Sequence, residues 1–245
     1  MDEGRRRLSM SPVEQVTTGF IAGVSIVFGI VALGITTALM TARFGAEVGT
    51  VAGALAFGIG LVFVVVGRTE LFSENFFDPV AAAIDEGGRR VWAQLARLWV
   101  LILGLNVVGG GVLVAMLTVN GAISEPASGA LHDVAEEIVG KGAAATLVRA
   151  VLAGALITLL SYMLSSSRSM TARVLVTYMV GFFLAIGPFD HVVVSVLHLL
   201  YAVWDGGTVG YGDVLTNLGL ATLGNLAGGL LLITLTHMAQ VKSRG

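Results

Sequence analysis

The chain has 245 residues, 56% hydrophobic and only 12% charged, with 14 Lys and Arg against 16 Asp and Glu and a net charge of −2. A soluble domain carries about 25% charged residues, so the composition excludes one and points to a polytopic membrane protein, its 33 glycines suiting closely packed helices. No cysteine is present, which excludes disulfides, thiolate nucleophiles and Cys-ligated metals; no cofactor and no nucleic-acid partner is expected.

Residues 1–12 are polar and basic, lack a cleavage site, and read as a cytoplasmic segment ahead of a retained first helix. Spanning the hydrocarbon takes about 20 apolar residues. Six stretches qualify, 13–40, 46–84, 91–118, 142–164, 171–203 and 213–238, forming one transmembrane domain over 13–240. The second and fifth are too long for one span and carry Arg68-Thr69-Glu70 and Gly187-Pro188 inside them, so both are predicted to break near the midplane. Between the halves, Ser128–Gly140 predicts a short exterior helix. With six spans, Arg5, Arg6, Arg7, Arg89, Arg90, Arg97, Arg168, Arg173, Lys242 and Arg244 fall on one side and Arg43 and Lys141 on the other, which puts both termini in the cytoplasm. Arg68 and Arg149 are left within or near the membrane.

The halves, 13–118 and 142–238, resemble each other. Asn106 and Asn225 both open an Asn-x-x-Gly-Gly string, Thr69 precedes Asn106 by 37 residues as Pro188 precedes Asn225, and Phe20-Ile21-Ala22-Gly23 matches Val151-Leu152-Ala153-Gly154. Three spans per half must insert in opposite directions, the 3+3 inverted repeat of channels and transporters, with the site where broken helices meet. The expected fold is therefore all-α, with six transmembrane helices and helices two and five interrupted.

His191 follows the second break in an otherwise apolar helix, and an ionisable ring at that depth is a functional candidate. Half-helix N-termini aimed at the centre favour an anion or an electron-rich solute. Phe57, Leu61, Leu71, Phe72, Leu184 and Phe189 around the breaks are oily, so an ion cannot cheaply shed its water there. The combination predicts an anion drawn in from outside and neutralised by a proton during passage. His198, seven residues on, lies on nearly the same helix face and would extend a polar track. Glu70 and Arg68 would pair or cap the broken helix, Asn106 and Asn225 would tie loop backbone groups across the repeat, and the Gly-Gly strings would be close-packing sites. His132 and His237 read as loop and membrane-edge residues.

Gly67-Arg68-Thr69-Glu70-Leu71-Phe72-Ser73 resembles the interrupted second helix of the formate/nitrite transporter family, Phe189-Asp190-His191 is similar to that family's Phe-Glu-His, and Thr222 to Gly229 is similar to its sixth-helix signature. The resemblance runs from about Val13 to Met238. It implies an aquaporin-like protomer, assembled as a homopentamer in the inner or plasma membrane, that passes small monovalent anions or their conjugate acids. It also implies that His191 is the central histidine with Ser73 as its hydroxyl partner, that Thr69 and Asp190 belong to the pore and proton relay, and that Lys141 matches a vestibular lysine. Phe57, Leu61, Leu71, Phe72 and Leu184 become the constrictions. Ser73 stands where Thr is usual, Asp190 where Glu is usual, Leu184 for an aromatic residue and Gly154 for Asn, and Arg68 is unusual. The alternatives are a channel for neutral solutes, although the Asn-Pro-Ala pair is absent, and a non-conducting regulatory protein derived from a channel. An intramembrane serine hydrolase is disfavoured because no Gly-x-Ser-x-Gly turn surrounds Ser73.

Overall fold

The computed structural model describes residues 2–243, and every regular element among them is helical. Arg244, counted above in the orientation of the chain, lies outside the described residues, as do Met1 and Gly245. A seven-residue helix α1 (Asp2–Leu8) precedes α2 (Pro12–Phe44), which starts on a Ser11 cap whose side chain accepts from the Glu14 amide. Gly45, at a φ of 92° that only glycine reaches easily, reverses the chain in one residue into α3 (Ala46–Val66). A 3₁₀ turn (Phe72–Phe76), α4 (Asp78–Glu86) and α5 (Arg89–Leu117) complete the first half. α6 (Glu125–Gly140) links the halves, and α7 (Ala143–Ser166), α8 (Met170–Ile186), α9 (Val192–Trp204) and α10 (Tyr211–Ala227) follow. A π segment (Gly228–Thr234) leads from α10 into α11 (Leu235–Lys242).

Among the described residues five helical stretches are long and apolar enough to cross a membrane: α2, α3, α5, α7, and the run from Tyr211 to Gln240. α8 and α9 are shorter apolar helices. The expected interruptions lie at 67–71 and 187–191, both non-helical. α1 and α6 sit at opposite ends of the bundle. α2 starts beside α1 and ends beside α6, where a Cβ on Gly34 would lie 2.8 Å from Leu131. α7 starts next to α6 and ends at the cavity that α1 borders.

Non-helical backbone in an apolar interior needs substitute hydrogen bonds, and two asparagines provide them in the same pattern. Asn106 Oδ1 accepts from the Phe72 amide at 2.9 Å, and its Nδ2 donates to the carbonyls of Gly19 and Glu70, both at 2.9 Å. Asn225 Oδ1 accepts from the Val192 amide at 3.0 Å, and its Nδ2 donates to the carbonyls of Ala150 at 2.8 Å and Asp190 at 2.9 Å. The same bonding pattern therefore recurs in the two halves, but its register differs by one residue from the equal 37-residue spacings. Glu70 lies 36 residues before Asn106, whereas Asp190 lies 35 before Asn225; the loops themselves match, and the second half is one residue shorter between its loop and its asparagine. Glu70 thus matches Asp190, and Leu71 matches His191.

The Gly-rich strings are close-packing sites. A Cβ on Gly23 would sit 2.6 Å from the Gly110 nitrogen, and one on Gly154 would sit 2.5 Å from Asn225 Cα. Small residues here let α2 approach α5, and α7 approach α10, closely enough for the asparagines to reach across. At the α6 end, Asp205 Oδ2 is met by His132 Nε2 at 2.9 Å and by the Ser128 hydroxyl at 2.8 Å, so His132 lies on a helix and fastens α6 to the end of α9. At the other end His237 packs between Tyr162 and Phe77, with ring centroids 4.5 and 5.5 Å away.

Asn106→Ala and Asn225→Ala each remove three buried hydrogen bonds and strand two groups, one amide and one loop carbonyl, since the third acceptor (Gly19 or Ala150) keeps the amide of its own helix. At about 1–3 kcal/mol per stranded group, either variant should lose most of its stability margin, read as a drop in the melting temperature of the detergent-solubilised protein. Wild-type melting in either variant would contradict this account of the breaks.

Candidate functional site: the junction of the two helix breaks

α3 ends at Gly67, and Arg68 takes a φ of 52°, a left-handed conformation that turns the chain out of the helix. The Thr69 amide and hydroxyl both donate back to the Val64 carbonyl, at 3.1 and 3.2 Å. Thr69 therefore closes α3 and makes no hydrogen bond to the imidazole. The chain then places Leu71 and Phe72, 1% and 2% exposed, and turns through Ser73, which is fully buried. In the other half, 187–191 leads into α9, with His191 as its N-cap residue.

The two breaks meet in one contact: Ser73 Oγ lies 2.5 Å from His191 Nε2, both side chains buried. The His191 carbonyl accepts from the Ser195 amide at 2.9 Å and hydroxyl at 3.0 Å, which holds the ring at the start of α9. Its Nδ1 has no hydrogen-bond partner among the described residues. The imidazole can thus exchange a proton through one nitrogen while the other is held by a hydroxyl able to donate or accept.

Buried apolar side chains adjoin the pair along the chain, Leu71 and Phe72 before Ser73 and Val192 and Val193 after His191. Phe57 and Leu61 of α3 and Leu184 of α8 are buried where these helices touch, at the Gly58 and Gly181 approach. Phe72 stacks edge-on against Phe76 at 4.9 Å, and Phe76 against Trp99 at 5.7 Å.

Charged groups sit one step outside it. Asp190 adjoins His191 in sequence, yet its Oδ1 takes Lys141 Nζ at 2.5 Å rather than the imidazole. Lys141 is only 10% exposed in its side chain and is the counter-ion of Asp190. Glu70 does not pair with Arg68, as the sequence suggests. Its carboxylate meets Arg6 at 3.0 Å and Arg7 at 3.4 Å, both carried on α1. Arg68 is exposed and Arg149 donates to Glu137 of α6 at 3.2 Å, so neither lies within the packed interior. His198 donates from Nδ1 to the Val194 carbonyl at 3.0 Å, a bond within its own helix. No signal in the sequence joins Arg6 and Arg7 to Glu70 over more than sixty residues; only the burial expected for Glu70 could have prompted the search.

α1 is fastened by further charges. Arg5 meets Glu86 at 2.8 Å and Asp85 at 3.1 Å. Burial alone raises the Glu3 carboxyl, but hydrogen bonds from Arg6 and Arg7 and their charges outweigh it and hold the group down at about 2.

The sequence pattern of the formate/nitrite transporter family matches residues 1–239. The chain is 24% identical over 247 residues to the inner membrane protein YfdC of Escherichia coli, covering 98% of this chain and 76% of YfdC. It is 27% identical over 255 residues to the formate channel FocA of Escherichia coli, covering 91% of this chain and 83% of FocA. A probable formate transporter of Methanothermobacter thermautotrophicus is 26% identical over 236 residues, with 89% and 85% covered. Two solved structures share the fold. One is an FNT family ion channel, TM-score 0.83 at 17% identity, covering 98% of this chain and 96% of that one. The other is a pentameric formate channel with formate bound, TM-score 0.75 at 20% identity, covering 94% and 99%.

Two outcomes are expected. Lys141→Met strands the Asp190 carboxylate, whose side chain is 2% exposed, and breaking a buried pair this way costs about 3–5 kcal/mol; Lys141→Met/Asp190→Asn should recover most of the lost melting temperature, and an unaltered single variant would contradict the pairing. Because the Glu3 carboxyl is depressed from 4.5 to about 2, its hold on α1 is complete above pH 4.5 and fades as pH falls toward 2. Acid-stable proteolysis should therefore cut the N-terminal segment increasingly across that window, and a rate flat in pH would contradict it.

Proposed function

Since the chain belongs to the formate/nitrite transporter family, we propose that it carries small monovalent anions such as formate or nitrite across the membrane, neutralised by a proton at His191. α3 with α4, and α8 with α9, each serve as one interrupted crossing. The protein then has six crossings in a 3+3 inverted repeat, with α1 in the cytoplasm and α6 outside. The antiparallel course of α2 and α7 and the matched bonds of Asn106 and Asn225 support this reading.

The observation that carries the proposal is the buried contact between Ser73 and His191 at the junction of two breaks, adjoined by buried apolar side chains. A bare carboxylate moved into such surroundings loses tens of kcal/mol of hydration, which makes crossing as an ion prohibitive. A neutral acid has no such barrier. An anion entering past Lys141 sheds water between Phe57, Leu61 and Leu184 on one side, or Leu71 and Phe72 on the other. It takes the proton from the imidazolium nitrogen, passes as the neutral acid, and returns the proton to the ring as it leaves. Ser73 orients the ring and holds the second nitrogen, while Asp190, neutralised by Lys141, keeps the adjacent loop in place.

Apolar residues such as Leu39, Phe63, Val100 and Leu215 cover the outer helix faces, as lipid or neighbouring protomers require. The solved pentameric formate channel of the same fold supports a homopentamer with one pore in each protomer. Relatives named as channels and transporters rather than enzymes support a transport role without catalysis.

The test is formate and nitrite flux into proteoliposomes between about pH 5 and pH 8, the span over which an imidazole titrates. Wild-type flux should rise as the pH falls, and His191→Ala should lower it about 100-fold, the low end of what a positioned proton donor contributes. Flux indifferent to pH would point to a neutral-solute channel, and no flux of any small anion would leave the non-conducting reading.

A further inference from the structure

Glu70 and Asp190 hold equivalent places in the two halves. Each is 1% exposed, each has its carbonyl held by the asparagine of its own half, and each immediately precedes a residue of the proposed path, Leu71 or His191. Each amide is also turned to the corresponding helix, Glu70 to the Thr18 carbonyl of α2 and Asp190 to the Arg149 carbonyl of α7. The match extends to their counter-ions. Lys141 comes from the residues just before α7, and Arg6 and Arg7 come from the residues just before α2. Resemblance to a vestibular lysine draws attention to the first of these sites, and nothing assigns the second.

We propose that Arg6 and Arg7 are the fixed counter-ions that make the α1 end of the path passable to anions, so that α1 conditions this mouth electrostatically instead of plugging it. The proposal rests on the transport reading above. α1 forms one wall of a cavity of about 930 Å³ that reaches Thr69 and Glu70. The opposite wall carries Arg168 and Arg173 at the junction of α7 and α8, and Arg68 stands between. Among the described residues none of these three arginines makes an ion pair. The arginines of α1 thus stand beside the open volume, and their charge is spent on carboxylates: Arg6 on Glu3, Glu14 and Glu70, and Arg7 on Glu3 and Glu70.

The chemistry follows from the sign of Glu70. A paired carboxylate presents little net charge to a passing anion. An unpaired one about 10 Å from the path, at the intermediate dielectric of a protein mouth, lowers local anion occupancy about tenfold. The charged groups around Glu70 are Arg6, Arg7 and Glu3 on α1, Glu14 on α2, Arg68 in the loop, Glu74 in the 3₁₀ turn and Asp78 on α4.

The test is formate flux in proteoliposomes for the full chain, Arg6→Gln/Arg7→Gln and Arg6→Gln/Arg7→Gln/Glu70→Gln. The double variant should lose about tenfold in flux relative to wild type. Adding Glu70→Gln should restore most of the flux, which a purely structural role for α1 would not do. If the double variant does not fold, Arg6→Gln alone should give a smaller loss that Glu70→Gln likewise restores, and no loss overturns the proposal. Flux that rises in the double variant, as release of a plug would give, or a triple variant as slow as the double, also overturns it. A wild-type chain that passes no small anion overturns the transport reading itself, a result distinct from these.

Discussion

The whole arrangement depends on two carboxamides that replace missing backbone hydrogen bonds. A helix interrupted in an apolar interior exposes amides and carbonyls that neither water nor a neighbouring turn can satisfy. Asn106 and Asn225 each bind one amide beyond the break, one carbonyl within it and one carbonyl on the first long helix of the same half. Those bonds fix the course of both loops, and hence the positions of Ser73 and His191. The glycines facing them are part of the same device, since a Cβ at Gly23 or Gly154 would collide with the asparagine turn.

The loops so fixed carry a graded set of charges. At the centre is a hydroxyl–imidazole contact that can be neutral, adjoined by buried apolar side chains. One step outward, on each side, lies a buried carboxylate matched by a cation, Asp190 by Lys141 and Glu70 by Arg6 and Arg7. A stranded charge at either place would be costly to the fold and would bias the path. Pairing offsets the burial of both carboxylates without placing net charge beside the buried apolar side chains. The cations also arrive from segments outside the helix pairs, so the ends of the bundle are electrically coupled to its middle.

Much of this was legible in the sequence. Arg68-Thr69-Glu70 and Gly187-Pro188 are wrong for a helix interior, and both stretches are non-helical. Asn106 and Asn225 stand out by their repeated string, and each holds the loop of its own half rather than reaching across the repeat. The register was not legible, because equal spacings from Thr69 and Pro188 hide a one-residue difference between loop and asparagine that only the hydrogen bonds expose. α1 was not legible either. Arg5-Arg6-Arg7 reads as a marker of orientation, whereas Arg6 and Arg7 serve as partners of a buried acid. Thr69 and Arg68 have the composition of site residues, yet one closes α3 and the other turns the chain.

The amino-acid sequence alone determined what depends on neighbours along the chain: which stretches are apolar and long, where proline, glycine and charge interrupt them, and which strings recur. These are local or periodic properties, visible without coordinates. The tertiary structure decided which cation answers each buried carboxylate, which hydroxyl meets the imidazole, and how the two halves are registered. Those contacts join residues tens of positions apart, and burial makes their geometry decisive: a charge or amide removed from water must meet its partner within hydrogen-bond distance, and only the packed chain specifies which partner is there.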